Sequence, residues 1–258
     1  MKLEIIENNP NELKSNKPFL FLHGMYHGAW YYNENFLPYI EKVGYKAYAL
    51  SFSNHGNSGY RKNMNLLTIK QYVEDVKEAI QYIGQEPILV GHSMGGFVIQ
   101  KYLEANKNES NVLLASVPPY GNKRSTFYVL KNYPLTFLKA NLLLNLKTIV
   151  LNKKLYLDMM FSNTRTFDEV EEYYHKLDNE SLGAYFGMKG FNLIKPEKIK
   201  SKIIVMGGEI DNSVVLKEVI DTAKTYHTKA IIFEGVGHDM MLDKQWKKII
   251  DTIIEKTT

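Results

Sequence analysis

Pro87-Ile88-Leu89-Val90-Gly91-His92-Ser93-Met94-Gly95-Gly96 is the stretch whose reading decides the fold. An apolar, strand-like run enters a Gly-x-Ser-x-Gly pattern, and Phe97, Val98, Lys101, Tyr102 and Leu103 then continue at helical spacing. A serine hydroxyl is a poor nucleophile. It becomes an effective one when a sharp strand-to-helix turn holds Oγ clear of its own backbone, within reach of a base and of amide donors. Gly91 and Gly95 flank Ser93 where strand and helix approach too closely for side chains, and Gly96 lets the first helical turn lie against the sheet. The alternative is an exposed serine in an ordinary turn. The strand before it and the helix after it argue against that.

Strands and helices alternate on both sides of this turn. Lys2–Ile6, Pro18–Leu22, Tyr45–Phe52, Val112–Val117, Lys202–Met206 and Ala230–Phe233 read as strands. Between the third of these and the serine turn, Thr68 and Gln71 form a capping-box pattern. Ile69, Tyr72, Val73, Val76, Ile80 and Ile83 follow at helical spacing until Gly84. In the last segment Trp246, Ile249, Ile250, Ile253 and Ile254 fall on one helix face, a core-packing pattern. This order predicts an α/β fold with a mostly parallel, doubly wound sheet. From 120 to 192 the rhythm changes to helices rich in Tyr, Phe, Leu and Met. That stretch is expected to be a helical cap inserted into a core made of residues 1–119 and 193–258, lying over the C-terminal strand edge.

An activated serine needs a base, and the base needs an orienting acid. Both occur after the last two strands. Lys202–Met206 leads to Gly207-Gly208-Glu209-Ile210-Asp211, and Ala230–Phe233 leads to Glu234-Gly235-Val236-Gly237-His238. His238 is the expected base and Asp211 the expected acid. Glu209 is a rival two residues away, disfavoured because it stands at the strand end and not in the loop beyond it. Two backbone N–H groups must face the developing negative charge, and position assigns them to Met94, directly after the nucleophile, and to Met25, in the loop after Pro18–Leu22. His23, His27, Trp30 and His92 are expected around the substrate pocket, His23 mainly as a brace for its loop. His55, His175 and His227 read as surface or turn residues. No pair of histidines stands three or four apart on a predicted helix, so neither a zinc site nor any other metal or cofactor is indicated.

The whole-chain numbers narrow the class. A length of 258 residues suits one α/β domain with an insertion. A net charge of +4, from lysines scattered without a dense stripe, does not suggest a nucleic-acid partner. The chain has no cysteine, which excludes a disulfide framework and a thiolate nucleophile. No signal-peptide-like apolar core opens the sequence, and the greasiest stretch, 127–151, is interrupted by Lys131, Pro134, Lys139 and Lys147. A cytoplasmic protein with no transmembrane segment is therefore expected.

By these residues the chain resembles the α/β-hydrolase superfamily over essentially its full length, most of all bacterial lysophospholipase- or carboxylesterase-type members with a helical cap. The resemblance is carried in order by Leu22-His23-Gly24-Met25, His55-Gly56-Asn57-Ser58-Gly59, Gly91-His92-Ser93-Met94-Gly95-Gly96, Gly207-Gly208-Glu209-Ile210-Asp211 and Gly237-His238-Asp239-Met240-Met241. It implies a serine hydrolase acting on a small-molecule ester or thioester. Two other readings stay open: non-hydrolytic chemistry on the same scaffold (carbon–carbon cleavage, lyase or perhydrolase) and a non-catalytic small-molecule receptor. In relatives the turn before His55-Gly56 often carries an arginine. Here it carries Asn54, so a buried ionic brace is expected to be absent. The apolar residues of 127–161 are expected mostly to pack the insertion onto the core, the remainder favouring a hydrophobic acyl or aromatic substrate. The charged stretch 169–180 reads as a solvated helix face.

Overall fold

Alternating burial along each strand builds two cores on one sheet. In β2 (Ser15–Leu22), Phe19 and Phe21 point to one face and Leu20 and Leu22 to the other, and all four are fully buried. The structure, a computed structural model, describes residues 2–258. Its seven strands are β1 (Glu4–Glu7), β2, β3 (Tyr45–Ser51), β4 (Ile88–His92), β5 (Asn111–Leu114), β6 (Ile203–Gly208) and β7 (Ala230–Phe233), in the sheet order β1-β3-β2-β4-β5-β6-β7. β1 runs antiparallel to β3, and every other neighbouring pair is parallel. One face is covered by the helices Phe36–Lys42 and Trp246–Thr257 and the other by Ile69–Ile83 and Met94–Leu103. The doubly wound α/β architecture read from the sequence is the observed one.

The helix boundaries follow the local chemistry. The Gln71 side chain accepts the Thr68 N–H at 2.9 Å, satisfying a donor that the first turn leaves without an intrahelical partner. Gly84 ends the same helix in the left-handed conformation, φ +76°. Between β5 and β6 the chain is helical, with Lys123–Asn132, Pro134–Leu142, Lys147–Val150, Lys153–Phe161, Glu171–His175 and Leu182–Phe186. Among the described residues no helix is long and apolar enough to cross a membrane.

Three sequence expectations need correction. First, 169–180 is not a continuous solvated helix. Only Glu171–His175 is helical, and Glu180 is fully buried. Second, the apolar residues of 127–161 divide, with Leu155, Tyr156 and Phe161 buried but Phe127, Leu135, Leu138 and Leu142–Leu144 exposed. A helix only two turns long can bury one stripe, and Phe137 and Ala140 already occupy it. Third, the turn before Gly56 does have an ionic brace. Arg61 reaches the buried Asp75 carboxylate at 2.9 Å, while the Ser53 N–H and hydroxyl donate to the same carboxylate.

Candidate active site

Register places the reactive loops side by side. Leu22 of β2 pairs with Gly91 of β4, so the chain leaving β2 (His23–Met25) and the chain leaving β4 (Ser93–Met94) emerge together at the carboxyl edge of the sheet. Ser93 itself lies at φ +51°, ψ −114°, a conformation costly for a residue with a Cβ and tolerated where the surroundings over-determine it. The tightness of the turn explains its glycines. A Cβ at Gly91 would sit 2.6 Å from the Gly95 backbone, and one at Gly95 would sit 2.2 Å from the Leu22 carbonyl oxygen.

The three side chains named from the sequence converge. The Ser93 hydroxyl lies 3.1 Å from His238 Nε2, and His238 Nδ1 lies 2.7 Å from Asp211 Oδ2. A carboxylate only accepts, so Nδ1 carries the proton and Nε2 is left to accept from Ser93. Asp211 is itself fixed, because its Oδ1 accepts the N–H groups of Ser213 and Val214 at 2.7 and 2.8 Å. The imidazole is buried. Burial pulls its pKa down, but the charge and hydrogen bond of Asp211 outweigh that, and the net shift is upward from the ordinary 6.5. Glu209 is exposed and accepts from the Gly235 N–H, away from the histidine. Neither the Met25 nor the Met94 N–H has an acceptor among the described residues, and Met94 opens the Met94–Leu103 helix, whose N-terminus favours negative charge.

The surrounding histidines separate into three kinds. His92 faces the cavity, its ring 4.6 Å from that of His238, and donates from Nε2 to the His238 carbonyl at 3.0 Å. His27 also lines the cavity. Its Nδ1 donates to the Met25 carbonyl at 2.7 Å and its Nε2 lies 3.4 Å from the buried Asp239, which also accepts from Tyr31. His23 and Trp30, expected at the pocket, do not line it. Both ring nitrogens of His23 are held by backbone, donating to Gly24 O and accepting the Phe52 N–H, so it spans the loop after β2 and the end of β3. Burial, with the nearby His55, keeps it neutral, well below 6.5. Trp30 stacks on Tyr173 instead.

His175 and His227 are exposed as expected, but His55 is fully buried. It faces Glu180 at 3.3 Å, and Glu180 also accepts from the Tyr72 hydroxyl at 2.8 Å. The segment carrying Glu180 is pinned to the core nearby, where Asp178 accepts the Gly56 N–H and Ser181 donates to the Leu67 carbonyl. Burial is the largest single influence on His55 and lowers its pKa, but the charge and hydrogen bonding of Glu180, with Asp178 and the Ser53 carbonyl, together raise it by more, leaving it above 6.5. The sign follows from linkage. A pKa raised on folding gives stability that is complete below the unfolded value and lost as pH rises through the folded one. Glu180→Gln is therefore expected to cost roughly 3–5 kcal/mol at pH 6. That lowers Tm by roughly 10 °C. The gap to the parent protein should narrow by pH 8.5, and thermal melts at the two pH values check it.

The cavity opens to solvent and is lined by side chains of both the sheet-edge loops and the helices between β5 and β6. Val129, Phe137, Ile149, Val150, Leu155 and Met159 make one side apolar, and Asn122, Ser125, Thr126, Tyr185 and Lys189 give it a polar end. Sequence reading did not single out Lys189, because nothing local marks a lysine as inward-facing. Its ammonium donates to the Asn122 carbonyl and to Ser125 Oγ, and burial pushes its pKa down to about 7.

Residues 19–252 match the model of the alpha/beta hydrolase family. Salicylic acid-binding protein 2 of Nicotiana tabacum is 32% identical over 127 residues, 47% of each chain, so the chain spans about half the length of such curated relatives. An esterase from Exiguobacterium antarcticum superposes with a TM-score of 0.73 at 17% identity, covering 98% of this chain and 94% of that one. A Paleococcus ferrophilus monoacylglycerol lipase superposes with a TM-score of 0.70 at 17% identity over 100% of both chains. At such identities the likeness speaks to the fold.

Proposed function

Because this chain belongs to the alpha/beta hydrolase family, we propose that it is a serine hydrolase cleaving a carboxylic ester or thioester of a hydrophobic small molecule. The observation that carries this reading is the hydrogen-bonded line from Ser93 through His238 to Asp211, at 3.1 and 2.7 Å. Ser93 Oγ attacks the acyl carbon as His238 Nε2 takes its proton, and the oxyanion forms against the N–H groups of Met25 and Met94. Collapse breaks the acyl–oxygen (or acyl–sulfur) bond, His238 returns the proton to the leaving alcohol or thiol, and the acyl group stays on Ser93. Water then repeats the cycle and releases the acid.

Residues 120–192 act in this reading as a cap on the core formed by 1–119 and 193–258. The apolar side chains that this segment contributes to the cavity support an acyl chain or aromatic group as the buried part of the substrate. The test is turnover of p-nitrophenyl esters of short to medium acyl chains, together with labelling by a fluorophosphonate. One label per chain on Ser93 is expected. An unlabelled protein, or a label on another residue, overturns the reading.

The base must be neutral to accept the proton. Turnover is expected to fall as pH drops through the His238 pKa, with the midpoint on the high side of 6.5 because Asp211 outweighs burial. A kcat/KM profile from pH 5 to 9 measures this, and a flat profile would remove His238 from the role.

A further inference from the structure

The helical segment between β5 and β6 is apolar on both sides. In the helix Pro134–Leu142, Phe137 faces the cavity and Ala140 is buried, while Leu135, Leu138 and Leu142 form a second stripe at i, i+3, i+7 facing outward. These three are 82, 54 and 74% exposed, and Leu143 and Leu144 extend the ledge at the helix end. Phe127 and Leu130, one turn apart on the preceding helix, are exposed as well. Scattered surface leucines need no explanation, but a run of this kind on adjoining helices marks an interaction surface.

Charge identifies what it meets. Between Glu109 and Asp158 the chain has no acidic residue, and it carries Lys123, Arg124, Lys131, Lys139, Lys147, Lys153 and Lys154. Arg124 pairs with Glu218, whereas among the described residues none of the six lysines has a carboxylate within salt-bridge distance. A second copy seated on this face would bring lysine against lysine, because a two-fold contact repeats the same patch on both partners. An apolar stripe bordered by unpaired lysines instead suits the boundary of an anionic bilayer, where leucines enter the acyl region and lysines reach the headgroups.

We propose that the outer face of Lys123–Leu144 docks on an anionic lipid surface, while Val129 and Phe137 on the inner side of the same helices line the cavity. The docking does not need the serine chemistry. Its consequence, that the cavity is held close to lipid-dissolved esters, rests on the hydrolase reading given above.

Flotation of the full chain with vesicles tests it, using phosphatidylcholine alone and phosphatidylcholine with 30% phosphatidylserine. Binding to the anionic vesicles is expected to be at least tenfold stronger and to collapse in 0.5 M salt. Replacing Lys131 and Lys139 together by Gln should weaken it about twenty-five-fold, since each lysine near such a surface contributes roughly fivefold. Leu135→Ser with Leu142→Ser should weaken it about tenfold or more while hydrolysis of soluble p-nitrophenyl acetate is unchanged. Ser93→Ala should bind vesicles like the parent protein, which separates failure of docking from failure of the hydrolase reading. Equal binding to neutral and anionic vesicles, or leucine variants that bind normally, would overturn the proposal. So would a dimer in sedimentation that the leucine substitutions dissociate, which would give the face to a second copy.

Discussion

Ser93→Ala is expected to lower kcat for p-nitrophenyl ester hydrolysis by about 10⁵–10⁶-fold, the loss seen when the nucleophile of a serine triad is removed. The substitution deletes one oxygen at a site already shaped for a residue with a Cβ, at φ +51°. Folding should survive, because among the described residues Ser93 Oγ hydrogen-bonds only with His238, whereas its backbone makes the structural bonds, Ser93 N–H to Leu114 O and Val117 N–H to Ser93 O. A Tm within a few degrees of the parent, beside lost turnover and lost fluorophosphonate labelling, is the expected combination. Turnover surviving at the parent level would sink the covalent mechanism.

Asp211→Asn should cost about 10⁴-fold in kcat with little change in KM. The reason lies in which end of the new amide faces the histidine. Oδ1 of Asp211 accepts two backbone N–H groups, from Ser213 and Val214, so an asparagine must keep its carbonyl oxygen there and turn its NH₂ toward His238. Nδ1 of the imidazole then has to accept, the proton moves to Nε2, and Nε2 can no longer take the Ser93 proton. The upward push of Asp211 on the His238 pKa is lost as well, leaving only that of Asp239, so the acid limb of whatever activity remains should move to lower pH. Glu209→Gln is the control. Its carboxylate only caps the Gly235 N–H on the surface, and a change of less than about threefold is expected. The reverse ranking would hand the acid's role to Glu209.

Ser93, Asp211 and His238 were legible in the sequence because each stands just beyond a strand, behind or beside a glycine that the turn requires. That is a local signature, and parallel strands bring their carboxyl ends to one edge whatever the details of packing. His55 and Glu180 carried no such signature. A glutamate in a charged stretch reads as solvated, and only the return of the 178–181 segment onto the core places it beside Tyr72, 108 positions away. Lys189 was hidden for the same reason. The outward leucines were misjudged because apolar content does not say which of two helix stripes finds a partner.

The order of elements, the doubly wound sheet and the three spaced side chains of the proposed relay were thus written in the chain itself, because strand period, turn chemistry and spacing act over a few residues. Tertiary structure alone decided the burial of His55 with Glu180, the exclusion of His23 and Trp30 from the cavity, the inward position of Lys189 and the exposure of Leu135, Leu138 and Leu142. Burial is set by what lies opposite, and the residues opposite are far away along the sequence.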